Sequence, residues 1–313
     1  MKICIFGAGA IGGYFGGRLA QAGLEVTFIA RGKHLEAIVN DGLHVKSLNG
    51  DFTINPAKAV SQPEKVGIVD VVLCCVKSWQ VADAAEQMRP MIGPETLVIP
   101  LQNGINAHDI LSQALGSDHI LPGLCKLLAM VESPGHIRHA GAEPFLAFGE
   151  MSGKPGERAN KVAQAFAKAK GMTVHASRNI YAQLWKKLML VAPWGGMGAV
   201  TRSPIGTIRS IPETREMLMD SIREVYHVAR ANNVEIDEAS VSDTINFIDN
   251  LPAGGTASMQ RDIMEGRPSE LREQCGAIVR HGEKGDVRTP VNRFIYHSLL
   301  PMEQMARGQL PGH

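Results

Sequence analysis

Apolar positions change period partway along the chain. From Met1 to about Arg178, short β-type runs alternate with stretches of helical spacing. Lys2–Phe6 is apolar and β-prone, and Ile11–Ala22 has helical spacing with Gly23 as its C-cap. Glu25–Ala30 predicts a second strand. Val69–Val76 is unbroken apolar sequence, the pattern of a strand buried on both faces. Trp79–Met88 predicts a helix and Thr96–Leu101 another strand. Asn49-Gly50, between His44–Leu48 and Asp51–Ile54, signals a tight hairpin, and a second hairpin is expected across Ile137–Gly149. Pro155–Lys170 adds a helix and Met172–His175 a last short strand. This alternation predicts βαβ units, hence a parallel sheet with helices on both faces.

After Arg178 the strand signals stop. Ile180–Ala192 has helical spacing and is expected to end at Pro193. Pro212 opens a helix reaching about Ala231. Further helices are predicted at Asp237–Asn250, Ser258–Glu265, Glu270–Lys284 and Pro290–Met305, the last capped by Thr289. The predicted class is α/β. A Rossmann-type, doubly wound N-terminal domain over residues 1–178 precedes an all-helical C-terminal domain over 179–313.

The length of 313 residues accommodates two such domains. Lys+Arg at 32 against Asp+Glu at 31 leaves a net charge of +1, so there is no electrostatic case for nucleic acid or an anionic membrane. No apolar run approaches the ~20 residues that span a bilayer, and glycines interrupt the first strand too early for a signal peptide. A cytoplasmic protein is expected. Its five cysteines, Cys4, Cys74, Cys75, Cys125 and Cys275, show no metal-ligand spacing, and are read as reduced, buried thiols with no metal. Oligomeric state is left open between monomer and homodimer.

Gly7-Ala8-Gly9-Ala10-Ile11-Gly12 is G-x-G-x-x-G between the first strand and the first helix, the context that makes this motif a dinucleotide-binding turn. Gly7 permits the tight turn, Gly9 lets backbone approach the pyrophosphate, and Gly12 lets helix pack on strand. The second strand ends in Ala30-Arg31-Gly32-Lys33-His34, with no carboxylate between Glu25 and Glu36 to hold a ribose 2′-hydroxyl. Arg31 and Lys33 suit a 2′-phosphate instead, so the cofactor is read as NADP(H). Lys77 and Asn103 follow later strands at the carboxyl edge of the sheet, where cofactor and substrate are expected.

Ketone reduction needs a proton donor for the developing alkoxide. Lys187 lies three after Leu184 and four before Val191, on the apolar face of its helix, whereas Lys186 shares a stripe with Gln183. An inward lysine is costly without a partner or a task, so Lys187 is the candidate donor. Ser258 reads as a helix N-cap and Glu270 as a first-turn acid.

Taken together, these residues resemble the ketopantoate reductase (2-dehydropantoate 2-reductase) family nearly end to end. The resemblance rests on Gly7–Gly12, Ala30-Arg31-Gly32, Lys77-Ser78 with Gln80, Gln102-Asn103-Gly104, Trp185 with Lys187-Leu188, and Ser258-Met259 through Asp262 to Glu270. It implies an NADPH-dependent enzyme of pantothenate and coenzyme A synthesis, with a Rossmann domain, a helical domain and substrate between them. It further implies Lys187 as the catalytic lysine, Glu270 as an orienting acid, Ser258 on the substrate carboxylate, and Lys77 and Asn103 on cofactor and substrate. One departure stands out. Where the family carries substrate-holding asparagines after the lysine, this chain has Val191, Gly195 and Ile205. Trp194 is then expected to shape a different pocket, with Thr201 or Arg202 replacing carboxylate contacts. The leading expectation is a 2-oxo acid reductase. Alternatives are a related hydroxyacid or opine-type dehydrogenase, or a non-catalytic dinucleotide sensor, the last disfavoured by Lys187.

Overall fold

The computed structural model describes residues 1–311. They form two packed units, Met1–Gln102 with Ala107–Ile180, and Asn103–Asn106 with the chain from Tyr181 onward. The first begins β1 (Lys2–Phe6), α1 (Ala10–Gln21), β2 (Glu25–Ile29) and α2 (Gly32–Asp41). The hairpin at Asn49-Gly50 joins β3 (Leu43–Ser47) to β4 (Phe52–Ile54), and β5 (Ala59–Val60) follows. Next come β6 (Val71–Cys74), α3 (Val81–Met88), β7 (Leu97–Pro100) and α4 (Ala107–Leu115). The unit closes with β8 (Gly123–Ser133), β9 (His136–Phe148), α5 (Glu157–Phe166) and β10 (Thr173–Ala176).

Five strands form an all-parallel sheet in the order β5-β2-β1-β6-β7. The chain leaves β1 in one direction to β2 and later returns to β6 on its other side. The carboxyl end of β1 is therefore a topological switch point, where open α/β sheets bind ligands. All four residues of β6 are buried, as an unbroken apolar run requires. Cys74 and Cys75 pack into different core clusters, on opposite faces of the sheet. All five cysteines are free thiols, and burial pushes those of Cys4, Cys74 and Cys275 up to about 12.

A second, mixed sheet runs β10-β9-β3-β4, with β8 antiparallel to β9. The hairpin expected across Ile137–Gly149 is not there. That stretch is one strand, β9, and the turn lies earlier, at Pro134-Gly135. The misplacement has a local cause. Gly141 and Ala142 (φ 57) break the alternation inside β9 and mimic a turn, while register shifts in β8 blur its own pattern.

Helix α1 lies between the two sheets and touches both through glycines. A Cβ on Gly16 would stand 2.5 Å from Ile5 and 2.6 Å from Phe28 in the parallel sheet. On the adjacent face, a Cβ on Gly13 would meet Ile137 at 2.8 Å, and one on Gly17 would meet Phe52 at 2.8 Å, both in the mixed sheet. Tyr14, Phe15 and Leu19 fill the remaining space and are fully buried. The helix ends in a Schellman turn: Gly23 N–H bonds Ala20 and Leu24 N–H bonds Leu19.

The second unit is helical among its described residues: α6 (Ile180–Thr201), α7 (Ile205–Ser210), α8 (Pro212–Ala231), α9 (Ala239–Asp249), α10 (Ser258–Met264), α11 (Cys275–Lys284) and α12 (Pro290–Ala306). Three expectations need correction. The helix predicted to stop at Pro193 continues through it to Thr201. A proline inside a helix removes one ladder bond and typically costs ~3 kcal/mol. Close packing offsets that cost here, because Gly195, Gly196 and Gly198 present bare backbone to Met259, Ile295 and Gln260. Glu270 is not in a helix; it opens a turn four residues before Gln274, which precedes α11. Thr289 does precede α12, but the first-turn amides of Val291 and Asn292 are capped by the Glu224 carboxylate of α8, at 2.8 and 2.9 Å, and not by its hydroxyl.

Replacing Gly16 by Ala tests the packing of α1. The methyl improves helix propensity by up to ~1 kcal/mol, but overpacking a core costs ~1–3 kcal/mol. Urea unfolding is expected to show a net loss of stability. A variant as stable as the parent would mean that Ile5 and Phe28 yield without cost.

Candidate active site

The glycine turn sits at the switch point. Gly7 has φ 101, a left-handed conformation that side chains other than glycine rarely adopt. A Cβ on Gly12 would run into the Gly7 carbonyl, so the turn and helix close on each other. Gly9 is the N-cap of α1, and a Cβ there would meet nothing within 4 Å. The first-turn amides of Ala10, Ile11 and Gly12 lie beyond the reach of the helix's own ladder, and no acidic side chain occupies that turn. Open backbone, free amides and the positive end of the helix dipole suit an anionic dinucleotide. Two buried polar atoms at the same edge of the sheet, Ser78 Oγ and Gln102 Oε1, have no hydrogen-bond partner among the described residues.

Arg31 is exposed as the N-cap of α2. Its guanidinium, read as a partner for a 2′-phosphate, donates to Gln87 Oε1 of α3 at 2.9 Å. That bond positions the arginine beside the end of β2 without satisfying all its donors. Lys77 is exposed after β6, with its Nζ 5.7 Å from the centre of the Trp79 ring.

The second unit holds the remaining predicted residues. Asn103, at the end of a loop that folds with this unit, donates from Nδ2 to Glu270 Oε2 at 2.8 Å. The sequence named both residues but did not pair them, since 167 positions separate them. Glu270 is buried and also accepts a longer bond from Gln274 Nε2, at 3.4 Å. Lys187 is half-buried on α6, whereas Lys186 is exposed and paired with Asp237 at 3.6 Å. Ser258 is exposed as the first residue of α10; the N-cap is Ala257, whose N–H is held by Gln260 Oε1 at 3.3 Å.

Several supporting residues escaped the sequence. Glu303 of α12 accepts from the Ser269 amide at 3.1 Å, while Arg307 donates to the Ser269 carbonyl at 2.9 Å. This clamp fixes the residue immediately before Glu270. His281 bonds Asn106 at 3.1 Å, tying down the far end of the Asn103 loop. Beside Glu270, burial lifts the Glu273 carboxyl above the ordinary range and the Glu270 charge adds to the effect. A short-range motif carries none of these; only the i,i+4 spacing of Glu303 and Arg307 was visible.

The asparagine-free stretch is packed rather than empty. Ile205 is fully buried, and the space beside Gly195 is taken by Met259 and Ala257. Lys187, Val191, Trp194 and Gly195 follow at helical spacing along one face of α6. Among the described residues no cluster could hold a metal ion, and no helix is long and apolar enough to cross a membrane.

The model of the family "Ketopantoate reductase PanE/ApbA" matches residues 3–153, and that of its C-terminal part matches residues 179–303. A 2-dehydropantoate 2-reductase of Mesorhizobium japonicum is 30% identical, over 93% of this chain and 94% of the relative. The crystal structure of a PanE/ApbA family ketopantoate reductase from Ralstonia eutropha is 32% identical with a TM-score of 0.89, covering 98% of this chain and 100% of the other. The ternary structure of D-mandelate dehydrogenase with NADH and anilino(oxo)acetate is 26% identical with a TM-score of 0.87, covering 98% and 99%.

Gly9 separates binding from folding. Gly9→Ala adds a methyl that meets no protein atom at an ordinary φ of −65°, so stability is expected to change by less than ~0.5 kcal/mol. Dinucleotide affinity is expected to fall roughly tenfold or more, the equivalent of one lost charge-assisted contact. Fluorescence titration with NADPH and NADH, beside a thermal melt, measures both.

Proposed function

The chain belongs to the ketopantoate reductase PanE/ApbA family, oxidoreductases acting on CH–OH groups, and we propose that it is an NADPH-dependent reductase of a 2-oxo acid whose tail is bulkier or more apolar than that of ketopantoate. The observation that carries the reading is the bond from Asn103 to the buried Glu270 carboxylate, which organises two polar groups around a task that packing alone does not require. A nicotinamide dinucleotide held at the Gly7–Gly12 turn would supply hydride chemistry. Lys187 supplies the proton to the substrate's carbonyl oxygen as negative charge builds there. Glu270 fixes one N–H of the Asn103 carboxamide, leaving its oxygen and second N–H to orient the ligand. Arg31, held by Gln87, offers its remaining donors to a 2′-phosphate.

Substrate choice follows from α6 and the start of α7. Val191, Gly195 and Ile205 supply no side-chain hydrogen bonds, so the site demands fewer polar groups of its ligand. Sites built to bond a substrate hydroxyl discriminate strongly for it, and this chain lacks that construction. Anilino(oxo)acetate, the compound held by D-mandelate dehydrogenase, joins an aromatic ring to an oxoacetate, the same kind of tail.

Two experiments test the proposal. Lys187→Ala is expected to lower kcat by ~10²–10⁴ while NADPH still binds, and Lys186→Ala to be nearly silent; equal activity of the two variants overturns the assignment of the donor. Steady-state kinetics over a panel of 2-oxo acids, each with NADPH and with NADH, decide substrate and cofactor. An aryl or branched apolar 2-oxo acid with NADPH is expected to give the highest kcat/KM. Ketopantoate as best substrate, near ~10⁴–10⁸ M⁻¹s⁻¹, would refute the reading of α6, and preference for NADH would refute that of Arg31.

A further inference from the structure

Three consecutive peptide planes make the glycine turn, and each is held differently. The Gly7–Ala8 plane is fixed by the Ala8 N–H donating to Ile29 O at 2.9 Å. The Gly9–Ala10 plane is fixed by the Gly13 N–H donating to Gly9 O at 2.7 Å. Both anchors are backbone. The Ala8–Gly9 plane between them has a side-chain anchor: His34 Nε2 lies 2.8 Å from Ala8 O. The other ring nitrogen accepts the Gly135 N–H at 3.0 Å. A nitrogen that accepts an N–H carries no proton, so Nδ1 is bare. A carbonyl oxygen only accepts, so Nε2 carries the proton and donates it to Ala8. Both contacts therefore require the neutral, Nε2-protonated ring.

The consequence lies on the other side of the plane. In a trans peptide the carbonyl and the following N–H point in opposite directions. Holding Ala8 O against His34 therefore aims the Gly9 N–H away from α2. Glycine accepts either sign of φ, so the residue that gives a ligand access also makes this plane easy to flip. A flipped plane would present a carbonyl oxygen to a pyrophosphate in place of a donor. Gly135 is itself well anchored: its carbonyl accepts the His44 N–H at 2.9 Å, and a Cβ on it would stand 3.0 Å from Ala37 of α2. We infer that His34 is a positioning residue for the dinucleotide, locking the Ala8–Gly9 peptide so that the Gly9 N–H is presented to the pyrophosphate. The inference rests on the dinucleotide-binding reading above and adds to it the residue that preorganises the turn.

The lock acts on a group common to NADPH and NADH, which sets it apart from Arg31. In fluorescence titrations of the full chain without substrate, His34→Leu is expected to weaken NADPH and NADH by the same factor, roughly three- to tenfold, as for one hydrogen bond. At saturating cofactor, kcat and the KM for the 2-oxo acid stay at parental values. His34→Gln, whose carboxamide presents one donor and one acceptor about as far apart as the ring nitrogens, recovers most of the affinity. Parental affinity in the leucine variant, a loss confined to NADPH, or equal loss in both variants overturns the inference. A parent chain that binds neither dinucleotide overturns the functional reading instead. If the leucine variant fails to fold, ¹⁵N NMR of the parent decides: an Nε2-protonated His34 is expected, and an Nδ1-protonated ring refutes the lock.

Discussion

Helix α1 has to fit a gap between two sheets that is too narrow for side chains on two of its faces. Gly12 and Gly16 face the parallel sheet, and Gly13 and Gly17 face the mixed one. Helix-interior glycine costs up to ~1 kcal/mol relative to alanine, so four of them would unmake an isolated helix. Burial of Tyr14, Phe15 and Leu19 offsets that cost, since complete burial of such a side chain contributes ~1.5–3 kcal/mol. Arg18 adds a polar rivet. Its buried guanidinium donates to the carbonyls of Asn49 and Gly50 and lies 4.2 Å from the centre of the Phe52 ring, fastening the β3–β4 hairpin to the helix. What this achieves is placement. The start of α1 cannot move without both sheets moving, so the glycine turn at its N-terminus inherits their rigidity.

The helical unit positions its groups by a different means. Its packing also uses glycine, at Gly195, Gly196 and Gly198 of α6, but its polar residues are fixed by carboxylates that accept backbone amides. Glu224 caps α12, and Glu303 caps the turn at Ser269. Each carboxylate reaches across from another helix, so the bond that satisfies a terminus also sets the relation between elements. The turn at Ser269 is where this matters for chemistry. Glu270 follows directly, and the Asn103 loop is held at its two ends by Glu270 and His281.

The parallel sheet was readable because its signals are local. Lys2–Phe6 appears as a strand with the predicted bounds, and the G-x-G-x-x-G turn supplied its own context. Asn49-Gly50 placed one hairpin correctly, because Gly50 (φ 91) supplies the left-handed residue that closes the turn. Pro134-Gly135 was an equally local signal, outweighed by Gly141 in the strand that follows. Pro193 misled for a different reason: whether a helix survives a proline depends on what packs around it, and Met259, Ile295 and Gln260 are remote in sequence. The site divided in the same way. Helix periodicity separated Lys187 from Lys186, and the structure has the first half-buried and the second exposed. The Arg31–Gln87 and Asn103–Glu270 bonds are long-range, and His34 lacks any motif of its own, so its two contacts became visible only in three dimensions.

The packing of α6 also changes what the missing asparagines mean. Loss of a polar side chain could leave a larger pocket, with water in place of the lost group. Here the space beside Gly195 is filled by Met259 and Ala257, and Ile205 is sealed in the core. Gly195 and Ile205 are therefore not vacated subsites, whereas Val191 is only partly buried. Gly195 is structural, since its lack of a side chain permits the close approach of α10 to α6. Restoring a single asparagine at position 195 would drive its side chain into Met259, since even a Cβ there lies 3.0 Å from the Met259 Cε. Val191 and Trp194 lie on the same face of α6 as Lys187 and stay only partly buried, in contrast to Gly195 and Ile205.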